Sequence, residues 1–362
     1  MLLSELIAML LVEAAMLVAA LSYFSILELP RGGRRRFVAS GTASALAMLM
    51  IGALAFRNPE FGTDTANYSA IFQEFCQQGE LPNSEFSYLI SVRTINAAML
   101  GSCNVSLLPV TWLLLVVGIL LGSIGSWQLK LRVMVILLLS MVGIALTTDA
   151  LRQGLSVGLM LAALGCWHQK QRAAAFVLSG LSVAFHSSAA LVLIALLAST
   201  LSWPFFILVL AGVTGVVTFA IQTSDSIASA LPIISTLLIY AAHDSDELII
   251  RVLTFSCVLS TLVAPLLAAR SAAARREALA LPGYQTAIRL AVCCIPPLSL
   301  PYFGYRFIFG VYPLILWLVI SATLAREDDS AVFGWALGGN AVILLFWCFG
   351  SNYVLTTPFI LT

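Results

Sequence analysis

Stretches such as 2–24, 37–55, 105–127, 248–268, 284–303, 305–324 and 331–350 are apolar almost from end to end. A bilayer core about 30 Å thick takes about 20 such residues as a helix, and a soluble fold has no use for so many of them. Backbone polar groups must find their partners inside lipid, and these runs are too long for tilted strands, so the spans are helices. Composition agrees: 60% of the 362 residues are hydrophobic and 10% charged, against about a quarter charged in soluble domains. The expected fold is an all-α polytopic membrane protein with about 10–12 spans.

Basic loops near span ends mark the cytoplasmic side. The clearest is "RGGRRR" (31–36), followed by "KLR" (130–132), "HQKQR" (168–172) and "RSAAARR" (270–276); "REDD" (326–329) is less informative. The first stretch, "MLLSELIAMLLVEAAMLVAALSYF", lacks a basic start and carries Glu5 and Glu13, which suits a retained span better than a cleaved signal. With those loops inside, extracytoplasmic loops fall near 57–104 and 222–247. Segment 84–101 is read as re-entrant or interfacial. Segment 173–200, with "FHSS" at its middle, is either one long tilted helix or two half-length helices meeting near the outer surface. No repeat or separable soluble domain interrupts residues 1–362, so the chain is one transmembrane domain. The net charge of +1 gives no reason to expect a nucleic acid.

Charged side chains in or beside spans are costly and therefore informative. In this topology Arg57, Asp64, Arg152 and Arg306 all fall at outer span ends, and His186 lies in or near a membrane helix. Each has a structural alternative. Arg57 and Arg306 can snorkel, Asp64 can cap a helix, Arg152 can pair with Asp149 one turn away, and His186 can be a hydrogen-bonded core residue. Three arginines on one side, with no lysine, favour fixed bidentate capture of phosphate. The run "HDSDE" (243–247) clusters carboxylates as a hard-cation site would, and a solvated loop explains it as well. There is no zinc spacing, H-E-x-x-H or G-K-[ST], so no metal or cofactor is expected. The seven cysteines form no C-x-x-C and read as small buried hydrophobes, with a Cys76–Cys103 disulfide left open.

Several landmarks follow one another in a familiar order. "FRNPEFGTDTANYSAIF" is similar to the R-x-x-x-x-G-x-D-x-x-x-Y-x-x-x-F stretch of EpsG-like, Wzy-type polysaccharide polymerases. "EFSYLISVRTIN" resembles their E-x-G-Y-x-x-L segment, without its glycine. "ALRQGLSVGLMLAAL", "FHSSAALVL", "YRFIFGVYPLILW" and the terminal "NYVLTTPF" resemble the later elements, the last with Phe359 where tyrosine is usual.

That resemblance implies a GT-C-like glycosyltransferase of the bacterial inner membrane, with its active site facing the periplasm. The growing glycan would pass from undecaprenyl diphosphate to the non-reducing end of a new lipid-linked repeat unit, and a chain-length-regulating co-polymerase would be a partner. Arg57, Arg152 and Arg306 are then the expected diphosphate ligands. His186 is the candidate base, with Asp64 its rival. Tyr68, Gln153, Tyr302, Tyr305 and Tyr353 are candidate substrate contacts, against an aromatic-belt role for the tyrosines. Direct displacement would invert the anomeric centre, and an activated diphosphate donor requires no metal in principle. The alternatives are a flippase for the same lipid-linked saccharide, expected to show internal symmetry and a central charged path, and an O-antigen ligase sharing the chemistry.

Overall fold

The computed structural model describes residues 70, 127–148, 150–186, 188–222, 248–299, 301–324, 326 and 329–350. Every secondary-structure element among them is helical, and the protein is an all-α polytopic membrane protein. From residue 127 onward the described residues form these α-helices in chain order: α1 (Trp127–Leu138), α2 (Met141–Thr148), α3 (Leu151–His168), α4 (Arg172–Phe185), α5 (Ala189–Ser199), α6 (Trp203–Gln222), α7 (Leu248–Ala268), α8 (Ala272–Ala280), α9 (Pro282–Cys293), α10 (Pro301–Thr323) and α11 (Asp329–Gly350). A 3₁₀ turn, Pro296–Ser299, links α9 to α10.

Among the described residues three helices are long and apolar enough to cross a membrane: Leu248–Ala268, Gly304–Thr323 and Asp329–Trp347. The pair formed by α8 and the Pro282–Ser299 segment, bent by 75°, has the length and apolarity of a broken span or a re-entrant loop. Much of the remaining expected span count lies outside the described residues, as do the proposed loops near 57–104 and, from 223 to 247, the second loop. The bend has a sequence cause. Leu281, the residue before a proline, takes extended backbone (φ −64°, ψ 126°) and so ends α8, and Pro282 opens α9 at a position where its missing N–H costs nothing.

The core gathers around α10, whose middle is almost wholly buried from Phe307 to Ile320. Around it pack α1, α3, α7, α9 and α5. Exposed Phe176, Phe205, Leu208, Ile249 and Phe346 face outward, as expected where the surrounding solvent is lipid. Polar groups inside the bundle tie helices together. The Tyr312 hydroxyl donates to Asn340 Oδ1 (2.8 Å) and Asn340 Nδ2 donates to Thr261 Oγ1 (3.2 Å), joining α10, α11 and α7. The Tyr284 hydroxyl likewise donates to the Leu262 carbonyl. Cys166, Cys257, Cys293 and Cys294 are buried free thiols; Cys76 and Cys103 lie outside the described residues.

One expectation changes, and one alternative is decided. "KLR" does not form a loop: it lies inside α1, with Arg132 only 2% exposed and its Nη1 3.1 Å from Asp329 Oδ2 at the start of α11. A guanidinium so buried needs a paired carboxylate, and the "REDD" run supplies it. Of the two alternatives left open for segment 173–200, the structure takes the second: two helices, of 14 and 11 residues. These span only about 21 Å and 16 Å, and the chain breaks between them at His186.

Candidate active site

The site begins with a helical hairpin. Helices α3 and α4 run antiparallel through the turn Gln169–Gln171, where Lys170 takes a left-handed φ of 62°. Near the open end the two helices exchange hydroxyls. Ser156 Oγ donates to the Ser182 carbonyl (2.8 Å), Ser182 Oγ donates to the Ser156 carbonyl (2.7 Å), and the two oxygens are 2.9 Å apart. Both serines are almost fully buried.

This clasp fixes a register. Arg152 lies one turn before Ser156 on α3, and His186 lies one turn after Ser182 on α4. The pairing that joins the serines therefore brings Arg152 and His186 to the same end of the hairpin. His186 itself is the C-cap of α4, in extended conformation (φ −154°, ψ 119°), with its N–H bonded to the Ser182 carbonyl.

Helix α10 adds the third cationic element. Gln153, beside Arg152, is 2% exposed, and its Nε2 donates to the Arg306 carbonyl at 2.6 Å. That bond locks the first turn of α3 to α10 at the height of Arg306. Two glycines permit the approach. A Cβ on Gly154 would sit 2.3 Å from the Leu146 carbonyl, so α3 can press against α2; a Cβ on Gly310 would sit 2.7 Å from Val192 Cγ2, so α10 can press against α5. The guanidiniums of Arg152 and Arg306 both act electrostatically on the His186 imidazole. Helices α3, α5 and α10 all begin at this end, so their positive dipole ends add to the field there.

Ser188 completes the histidine's setting. Its hydroxyl is 2.6 Å from His186 Nδ1, and its backbone N–H donates to the same nitrogen at 3.3 Å.

The other expected site residues divide into two groups. Tyr305 is 8% exposed and packs edge-on against Phe309 at 5.4 Å between ring centroids, as a member of the core. Tyr302 lies in the first turn of α10. Arg57, Asp64, Tyr68 and Tyr353, and the "HDSDE" run, lie outside the described residues. Among the described residues no cluster of His, Cys, Asp and Glu could hold a metal ion.

Sequence reasoning missed Ser156, Ser182, Ser188 and Arg251. Arg251, in the first turn of α7, donates from Nη1 to the Leu298 carbonyl at 2.7 Å and braces the turn that leads into α10. A charge inside an apolar run was the available signal. A separate cavity of about 440 Å³ lies at the opposite end of α3 and α10, lined by His168, Gln169, Gly283, Trp317 and Ser321, and is remote from the arginine cluster.

Fold and site together define a helical membrane protein with a polar, cationic cluster at one end of its bundle. Residues 42–357 match the EpsG family, and the chain belongs to that family, one of polysaccharide-polymerase-like membrane proteins that use lipid-linked sugars. No curated protein and no solved structure matches the chain.

Proposed function

We propose that the protein extends a polysaccharide by transferring the growing glycan from undecaprenyl diphosphate to the non-reducing-end sugar of a lipid-linked repeat unit, at the periplasmic face of the inner membrane. The observation that carries this reading is the packing that brings Arg152, Arg306 and His186 to one end of the bundle, through the Ser156–Ser182 clasp and the bond from Gln153 to the Arg306 carbonyl. A Wzy-type, GT-C-like glycosyltransferase needs such a cluster. Negative charge grows on the diphosphate as the glycosidic bond breaks, and guanidiniums already in place stabilise that charge more in the transition state than in the ground state.

The acceptor hydroxyl oxygen forms a bond to the donor's anomeric carbon while the carbon–oxygen bond to diphosphate breaks. Its electron pair leaves on the phosphate oxygen, and the anomeric centre inverts. Arg152 and Arg306 hold the departing diphosphate, and Gln153 positions Arg306 through its carbonyl. Arg57 is the proposed ligand of the second diphosphate. Tyr68, Tyr302, Tyr305 and Tyr353 are the proposed sugar contacts. The hydroxyl proton goes to His186 or Asp64, the two base candidates. With charge neutralised by arginine and a leaving group already activated, the step runs without a metal. A co-polymerase setting chain length is the proposed partner.

The test is polymerisation by the purified protein in nanodiscs, with its polyprenyl-diphosphate repeat unit and EDTA present. A ladder of products with released polyprenyl diphosphate is expected. Arg152→Lys and Arg306→Lys should each lower turnover about 10²-fold or more, because a point charge cannot replace a bidentate fork. Substrate carried across a sealed bilayer with no ladder would make the protein a flippase and end the polymerase reading.

A further inference from the structure

The arrangement around His186 settles what kind of work the imidazole can do. A backbone N–H only donates, and that of Ser188 is directed at Nδ1. The Ser188 hydroxyl lies against the same nitrogen. Ser188 stands at the N-cap of α5, yet its side chain caps nothing, although accepting a first-turn N–H is the common use of a serine there. Its hydroxyl is committed to the histidine instead. A proton on Nδ1 would confront the Ser188 N–H head-on, whereas a lone pair there accepts from Ser188. The proton of a neutral imidazole then resides on Nε2.

We infer that His186 acts through Nε2–H as a hydrogen-bond donor to the departing diphosphate oxygen, and not as the base that takes the acceptor's proton. This rests on the polymerase reading above. Its lone pair is engaged by Ser188, and the one face left open can only give. Among the described residues, Arg152 and Arg306 set a cationic field at the ring, and an anion is the acceptor such a field favours for Nε2–H. The acceptor hydroxyl's proton passes to a carboxylate, for which Asp64 is the chain's own candidate. His186 neither gains nor loses a proton over the cycle.

Amide substitutions separate the two roles. Glutamine places an N–H close to the position of Nε2 and asparagine one close to Nδ1, and neither is a base. In the nanodisc assay, His186→Gln should keep turnover within about tenfold of wild type. His186→Ala and His186→Asn should fall about 10²-fold or more, the loss typical of one missing oxyanion donor. His186→Gln as inactive as His186→Ala, at wild-type thermal stability, would overturn the inference. A second readout needs no activity. The chain has three histidines, His168, His186 and His243, so ¹⁵N-histidine solid-state NMR of a His168→Gln/His243→Gln protein reports His186 alone. A proton on Nε2 with Nδ1 bare is expected, and a proton on Nδ1 would refute the donor role. A wild-type protein that makes no ladder would sink the polymerase reading while leaving the tautomer to be decided by NMR.

Discussion

The serine clasp between α3 and α4 makes a prediction that joins stability to rate. Each hydroxyl has one proton, so the three short oxygen contacts between Ser156 and Ser182 amount to two donated hydrogen bonds, Ser156 Oγ to the Ser182 carbonyl and Ser182 Oγ to the Ser156 carbonyl. Ser182→Ala removes one and leaves the other, because its acceptor is backbone. Ser156→Ala does the converse. Interhelical hydrogen bonds in membranes average about 0.6 kcal/mol, and buried bonds in general about 1 kcal/mol. Each single variant should therefore lose about 0.5–1 kcal/mol and the double variant about 1–2 kcal/mol. No cavity beyond an oxygen is created, and the Ser182 carbonyl keeps its bond from the His186 N–H at 3.1 Å.

The kinetic cost should be steeper. Either single variant keeps one bond that still specifies the register. Only the double variant frees α4 to move along α3, where a full helical turn is about 5.4 Å. A displacement of about 1 Å at a reacting group can cost 10²-fold in rate. The double variant should thus lose at least about tenfold in kcat, more than the product of the single effects, with KM for the lipid-linked repeat little changed. Ser→Thr at both positions restores the hydroxyls and should recover most of the rate. The assay is ladder formation in nanodiscs beside thermal unfolding of the same samples. A folded double variant with wild-type kcat would refute the idea that the serines set the position of His186 against Arg152. So would a rate loss that threonine does not repair.

Two further outcomes follow from packing. Asp329→Ala strands the Arg132 guanidinium, 2% exposed and 5.7 Å from the centre of the Phe333 ring. It should cost about 2–4 kcal/mol in thermal unfolding, below the full range for breaking a buried pair because Asp329 is partly exposed, and Arg132→Met in the same protein should recover most of that loss. Gly310→Val drives a side chain into Val192 and should cost about 1–3 kcal/mol. Turnover should fall with it, because α10 carries Arg306, and unchanged stability would refute the close contact of α5 with α10.

The apolar runs left no fold open but helices, and the arginines at "ALRQG" and "YRFIF" could be placed on one side because basic loops set the direction of each span. The break at "FHSS" was foreseeable as one of two alternatives, since a short polar run inside 28 residues suits either. Other features could not be read. Arg132 and Asp329 are 197 residues apart, and local charge counting assigned one to a loop and discounted the other. Gln153 follows the arginine at the start of α3, which suggests a substrate-facing polar group; helix geometry turns it inward, where a buried amide must find a partner and takes the Arg306 carbonyl. Serines within apolar helices carry no periodic signal, so the clasp appears only once α3 and α4 are packed.

The break at His186 also bears on why the site is there. Backbone that leaves helical geometry at membrane depth is tolerated only where protein shelters it or water reaches it. Here the groups released by the break find partners locally: the His186 N–H bonds the Ser182 carbonyl, and the His186 carbonyl accepts from the Ala189 N–H. Ser188 spends its hydroxyl on the imidazole rather than on the helix it caps. One continuous helix from Arg172 to Ser199 would satisfy the same backbone with less, and would carry the side chain of residue 186 on its flank. Ending α4 at Phe185 and restarting at Ala189 instead presents His186 from an extended link, at the end where Arg152 and Arg306 converge. The irregularity is useful only if something polar and anionic comes to meet it, which is the strongest reason the fold itself offers for putting the reaction there.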